Sequence, residues 1–324
     1  MYIEKKKIGQ NVYNYLKVSV RVGSKIKTKT VAYLGKEPMS KKEKDDAVAK
    51  VPASKLEEIR AELVSSENLN TKFLTSDQTA GLNRMKKEFA DKLKLLDQKL
   101  ISDMFRDFKT AYIYNTNSIE GNTLSLEETN LLLNENITPK SKDLREVYDH
   151  INERDTFDYI LKELPSLNVH TILDIHARLL SNIDERRGRF RMHNIRVFGA
   201  DFETTDAKYV SVDMGLLLKW YEKYKTLLHP LILAALFHEK FERIHPFYDG
   251  NGRTGRMLMN LILLKNRYPP LIIKNKNRKE YYRVLSLGHK AALTKSEPDF
   301  YKPIVNFCYA QLNETFNKIF SKWG

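Results

Sequence analysis

From Asn11 to Val22, and again from Lys25 to Leu34, apolar and polar side chains alternate with the period of a strand buried on one face. The alternation predicts a β-hairpin turning at Gly23 and Ser24. A three-residue loop over 23–25 sets Leu16, Val18, Val20 and Val22 against Ala32, Thr30, Thr28 and Ile26, whereas a two-residue loop sets valines against lysines. The pattern therefore favours the longer loop. The second face then carries Lys17, Arg21, Lys27 and Lys29, with Arg21 directly across from Lys27, a like-charge pair that is costly unless an anion covers it. Residues 1–45 thus read as a basic hairpin segment whose candidate partners are nucleic acid or an acidic protein surface.

Residues 46–76 are polar and read as a linker with a short helix near 54–65. From Gln78 the period lengthens. Leu82, Met85, Phe89, Leu93, Leu96, Leu100, Met104, Phe108 and Tyr112 recur three and four apart, predicting one face of a single long helix. Ser125 and Glu128 stand in capping-box spacing and open another helix. Further helices are expected near 142–163, 168–181, 212–227, 230–243, 253–266, 278–291 and 299–321. Only 194–212, with Val197, Phe198 and Val210 around a polar turn, predicts a second hairpin. The chain reads as mainly α: a helical region over 77–324 with a small β-hairpin flap, preceded by the N-terminal hairpin.

At 324 residues, 42% apolar and 30% charged, the chain can bury one large core or two smaller ones. A single cysteine, Cys308, excludes an internal disulfide and a cysteine-based zinc module, and predicts a reducing, cytoplasmic setting. No apolar run approaches the roughly 18 residues of a membrane helix, and the Met1 end shows no leader-like pattern, so no membrane partner is expected. The net charge of +14 is uneven: residues 1–44 hold 12 basic and 3 acidic side chains.

The chemistry concentrates in HPFYDGNGRTGR, His245 to Arg256, between two helical segments. His245 can take a proton near neutrality, and Asp249 is a hard oxygen donor suited to Mg²⁺. Gly250, Asn251 and Gly252 let N–H groups converge at a helix start, where the dipole favours an anion, and Arg253 and Arg256 can fork onto phosphate oxygens. Together they describe a phosphate-transfer site. A dinucleotide fingerprint would need a preceding strand and an acid about 20 positions on; the preceding segment is helical, and no Asp or Glu occurs between Asp249 and Glu280. Zinc hydrolysis fails because Glu242 stands where the second histidine of His-Glu-x-x-His belongs, and His238 and His245 lie two turns apart, about 10 Å. A plain glycine-rich loop explains the glycines but not the acid and arginines around them.

The string resembles the signature of the Fic domain proteins, His-x-Phe-x-(Asp/Glu)-Gly-Asn-Gly-Arg-x-x-Arg, at His245, Phe247, Asp249, Gly250, Asn251, Gly252, Arg253 and Arg256. The similarity runs from about 116 to 312 and takes in Gly188-Arg189-Phe190-Arg191 and Tyr281-Tyr282. The resemblance implies a helical core that transfers AMP from ATP to a hydroxyl of a target protein. By position it implies His245 as general base, Asp249 as Mg²⁺ ligand, Gly250, Asn251 and Gly252 on the α-phosphate, Arg253 on the β-phosphate and Arg256 on the γ-phosphate. Phe247 would be an apolar peg, and Tyr281 and Tyr282 would flank the adenine, with His289 where relatives often carry Asn. Thr116 to Gly121 fit the family's inhibitory pattern (Ser/Thr)-x-x-x-Glu-(Gly/Asn), which implies that Glu120 pairs with Arg256 and blocks the γ-phosphate. The 194–212 segment would be the flap that binds the target chain by strand addition, with Glu203-Thr204-Thr205 where relatives often have two prolines. A second copy of the chain is a further candidate partner. Two other readings are kept: removal of AMP at the same site, with Glu120 acting on water, and a nucleic-acid-binding regulator working through the hairpin.

Overall fold

The computed structural model describes residues 1–22, 25–196 and 204–323, apart from the side chains of 22, 25, 27 and 60–68. It divides into two compact units, Met1–Lys72 and Phe73–Gly324.

The first unit is an antiparallel sheet in the order β1 (Tyr2–Ile8), β2 (Asn11–Val22), β3 (Lys25–Lys36), with helices α1 (Lys41–Ala49) and α2 (Ala53–Thr71). Helix α2 contains the short helix expected near 54–65 and is longer than it, and α1, across the end of the expected hairpin segment and the start of the expected linker, was not expected. Leu16, Val18, Val31 and Ile59 form its core, with Ile3, Val20, Val48, Val51 and Leu56 packed around them. Strand β1 was not expected, because its Glu-Lys-Lys-Lys run hides the alternation.

The register differs from the expected one. Leu16 does pair with Ala32, but the next pairs are Lys17 with Thr30 and Val18 with Lys29, so Val31 is an extra residue on β3. This bulge turns Val31 into the core, at 6% exposure, and slips the rest of the strand by one. Val22 then pairs with Lys25, Arg21 with Ile26 and Val20 with Lys27. The opposed Arg21–Lys27 pair does not form, and Lys17 is held by Glu4 of β1 at 2.7 Å.

The second unit is helical: α3 (Ser76–Leu95), α4 (Gln98–Ile119), α5 (Leu126–Asn134), α6 (Leu144–Glu163), α7 (Val169–Leu179), α8 (Val210–Tyr224), α9 (Pro230–Ile244), α10 (Asn251–Lys265), α11 (Arg278–Gly288) and α12 (Pro298–Lys318). The single long helix expected from 78 to 112 is two. Leu96 is extended, and the Asp97 carboxylate accepts the Leu100 N–H at 2.8 Å, a side-chain cap that starts a new helix inside the apolar stripe. Around the antiparallel pair α9 and α10 pack α4, α6, α7, α8 and α12. The first half of α9, Leu231 to Phe237, is apolar all round and buried, as that composition requires, and the polar second half is buried with it, including His238, Glu239, Lys240 and Glu242. Cys308 is buried on α12.

Of the expected flap, 197–203 lie outside the described residues, and the C-terminal part is not a strand. Ala207–Tyr209 form a 3₁₀ turn leading into α8, whose first residue is the buried Val210. No helix among the described residues is long and apolar enough to cross a membrane.

Candidate functional site

Helix α9 ends at His245, which takes a left-handed conformation with φ 51° while its N–H still bonds the Phe241 carbonyl at 2.9 Å. Gly250, at φ 73°, then starts α10, and a Cβ there would press to 2.5 Å of Leu180 Cδ2. Between these two turns the loop is braced from three sides. Asn251 donates its amide to the Phe247 carbonyl at 2.8 Å and accepts the Phe247 N–H at 2.9 Å. Arg191, buried, donates to the carbonyls of His245 at 2.8 Å and Ile244 at 3.4 Å, and to that of Thr205. His176 of α7 accepts the Gly188 N–H on Nδ1 at 2.9 Å, so its proton sits on Nε2, which donates to the Asp249 carbonyl at 3.0 Å. Burial pushes His176 down to about 4, keeping it in the neutral form that this pair of bonds requires.

The His245 ring has a defined orientation as well. Its Nδ1 lies 3.2 Å from the Glu242 carbonyl, which can only accept, so Nδ1 carries the proton and Nε2 keeps its lone pair. Burial pushes this ring also down to about 4.

Arg253 and Arg256 lie one turn apart on α10 and are almost wholly buried, at 3% and 1% exposure. Arg253 is ion-paired with Asp149 of α6 and lies 3.6 Å from Asp249. Arg256 donates Nε to Thr116 Oγ1 at 2.7 Å, and Nη2 to the Thr116 carbonyl at 3.1 Å and Glu120 Oε1 at 2.6 Å. Burial works most strongly against the guanidinium charge, but the Glu120 carboxylate, together with Tyr281 and Tyr112 beside it, outweighs burial and holds the group firmly protonated. Glu120 caps α4, and Gly121 at φ 98° ends the helix behind it. The carboxylate reaches Arg256 across the bare Cα of Gly252, where a Cβ would collide with Glu120 Oε1 and come within 2.9 Å of Arg256 Nη1.

Asp249 accepts the Gly250 N–H at 2.6 Å and holds the guanidinium of Arg145. The N–H groups of Asn251, Gly252 and Arg253 form the first turn of α10, whose donors have no partner within the helix. Beneath the loop lie two buried acids: burial pushes Glu242 up to about 8 and Glu153 up to about 7. The tyrosine pair divides. Tyr281 is buried, with its hydroxyl 2.6 Å from His238 Nε2, so Tyr282, 41% exposed, is the one with area to offer a base. His289 Nδ1 lies 2.7 Å from Glu239 Oε1. Of the residues singled out in the 245–256 string, Arg256 meets Thr116 and Glu120 and Gly252 lies against the Glu120 carboxylate, while Asp249 meets Arg145 and Arg253 meets Asp149. The sequence reading missed His176, Asp149, Arg145, Glu153 and Glu242, and it quoted Arg191 without a role.

Residues 166–263 match the Fic/DOC family. The chain is 32% identical over 252 residues to a protein adenylyltransferase Fic of Nematostella vectensis, covering 69% of this chain and 58% of that protein. It is 34% identical over 193 residues to the protein adenylyltransferase fic-1 of Caenorhabditis elegans, covering 57% and 38%. The chain therefore spans about 38–58% of the length of these curated relatives. Among solved structures, a Fic domain containing signaling protein from Bacteroides thetaiotaomicron superposes with a TM-score of 0.67 at 25% identity, over 73% of this chain and 95% of that one. A Fic family protein from Desulfovibrio desulfuricans gives 0.63 at 25% identity, over 77% and 76%. Helical fold and signature loop together define a Fic domain, and this chain carries one.

Proposed function

We propose that the chain transfers AMP from ATP to a hydroxyl side chain of a target protein and that Glu120 holds it in an inhibited state. The observation that carries this reading is the Arg256–Glu120 pair at 2.6 Å, set over Gly252 at the start of α10. Three first-turn N–H groups and two buried guanidiniums favour a polyphosphate, and a neutral imidazole with a free Nε2 lies at the other end of the same loop. His245 Nε2 takes the hydroxyl proton as the target oxygen bonds to the α-phosphorus and the bond to pyrophosphate breaks. Asn251, Gly252 and Arg253 hold the α- and β-phosphates through main chain and guanidinium, and Arg256, once Glu120 withdraws, holds the γ-phosphate. Among the described residues no three acids, histidines or cysteines converge on one point. Mg²⁺ binding through one carboxylate and substrate phosphates needs no such cluster, and Asp249 already holds a cation, the Arg145 guanidinium. Asp249 would hold the ion, whose chemistry is to neutralise charge on the phosphates. Tyr282 would face the adenine.

The target chain would meet the segment around 194–212, whose described ends are closed by Asn194 Oδ1 accepting the Ala207 N–H at 2.7 Å and by Thr205 Oγ1 donating to Asp213 at 2.7 Å. A cytoplasmic setting agrees with the buried thiol of Cys308. For the N-terminal unit, the observed register removes the opposed arginine and lysine on which a nucleic-acid partner was argued, leaving its high positive charge as the remaining support. Intact-mass measurement after incubation with ATP and Mg²⁺, wild type beside Glu120→Gly, tests the proposal. Automodification in the variant is expected. AMP removal from a modified protein by wild type, lost in the variant, would assign the reverse reaction instead.

A further inference from the structure

A second concave site lies at the other end of the helices that build the phosphate loop. A cavity of about 640 Å³ opens between the C-terminal half of α3, the N-terminal half of α4 and the C-terminal ends of α6 and α10. Its size is that of a small-molecule site. Phe89, Leu93, Phe105, Leu161 and Leu264 give it an apolar wall, and Lys94, Lys109, Lys162 and Arg267 stand on its rim with a single carboxylate, Asp158. Asp158 is taken by Lys109. Among the described residues, Lys162 pairs only with its neighbour Glu163, at 3.7 Å, and neither Lys94 nor Arg267 has a carboxylate partner. The apolar surface continues outwards: Leu93 is 38% exposed and Leu164 40%. Water reaches this apolar wall, so an apolar occupant would gain by covering it.

The charges decide what kind of occupant fits. A second copy packed here about a twofold axis would set one cationic rim against the other. An uncharged apolar molecule would leave the rim unused. A single acyl chain with a carboxylate satisfies both parts, its tail along the leucines and phenylalanines and its head among Lys94, Lys162 and Arg267. We propose that this groove binds a long-chain fatty acid. It is separate from the phosphate loop: α10 contributes Asn251 to one and Leu264 to the other, about 20 Å apart along the helix.

Displacement of a fluorescent dansyl fatty acid from the full chain, below the critical micelle concentration, tests this. Affinity for saturated fatty acids should rise roughly tenfold for each two methylenes added until the groove is full. Lys94→Glu with Arg267→Glu, both exposed positions, should weaken the carboxylate roughly tenfold and leave the alcohol of equal length unchanged. Leu93→Glu should weaken acid and alcohol alike, with an unchanged circular dichroism melt showing that the fold persists. ATP with Mg²⁺ should not displace the probe. No displacement at any chain length, affinity independent of length, competition by ATP, or full carboxylate binding by the charge-reversed variant would each overturn the proposal. So would an acidic amphipathic peptide that displaces the probe where fatty acids do not, since the groove would then belong to a protein partner.

Discussion

The imidazole of His176 lies face to face with the ring of Phe247, centroids 3.6 Å apart and planes 2° from parallel. With its bonds to Gly188 and Asp249, that one side chain from α7 fixes the apolar peg of the loop and the backbone of its acid together. His176→Ala should therefore lower the rate of AMP transfer roughly ten- to a hundredfold, as losing a supporting partner does elsewhere. It should also cost about 2–3 kcal/mol of stability from the lost packing. Steady-state kinetics beside thermal melts check this; an unchanged kcat would show that the loop holds its shape without the stack.

Removing Glu120 frees a guanidinium that is otherwise committed. Glu120→Gly should raise automodification at least tenfold, since a charge-assisted contact of this kind is worth about 1.5–3 kcal/mol. Arg256→Ala in the same background should undo the gain. Equal labelling of wild type and Glu120→Gly would end the autoinhibition reading.

For His245, His245→Ala should abolish transfer while ATP binding, followed by calorimetry, stays close to wild type. The pH profile is the sharper check. With its folded value pushed down to about 4, the ring is neutral and competent across pH 6–8, so the rate of Glu120→Gly should not fall on the acidic side of that window. A rate that halves near the ordinary histidine value would show that the ring is solvated during turnover.

Stability should pass through a maximum near pH 6.5. Below it, the unfolded chain protonates His176, His238 and His245, whose folded values are pushed down by burial to about 4, 3 and 4, so acid favours unfolding. Above it, the unfolded chain has already ionised Glu153 and Glu242, which burial holds protonated in the fold to about 7 and 8, so stability falls as pH rises towards 8. The net fall should be about 1 kcal/mol, because the three histidines of the unfolded chain are still losing protons above pH 6.5 and offset part of it; it is visible in melts between pH 6.5 and 8, and Glu242→Gln should remove it. A flat profile over that interval would mean that both acids ionise in the folded chain.

What could be read from the sequence was local. The loop from His245 to Arg256 keeps its base, acid, glycines and arginines within 12 consecutive positions, so its chemistry shows in the letters. Thr116 and Glu120 are four apart on one helix, a spacing with its own signature. His176 bonds a carbonyl 73 positions away and Arg253 a carboxylate 104 positions away, and no periodicity announces either contact. Two of the departures, the split helix and the shifted register, have the same kind of origin. A polar side chain that bonds its own backbone, as Asp97 does, ends a helix without disturbing the apolar stripe. One extra residue at Val31 shifts a register without disturbing the alternation on either side of it.

Gly252 also constrains how this chain can drift under mutation. The position admits the Glu120 carboxylate only because it has no side chain, and the same bare Cα lies in the first turn of α10, the turn proposed to hold the phosphates. On the proposed reading, a replacement there would displace the carboxylate and crowd the first turn of α10 in one step, so constitutive activity would not be reached through residue 252. The open route would be loss of the acid itself at Glu120, a single-nucleotide change from glycine, which on that reading ends the inhibition and leaves the first turn of α10 untouched.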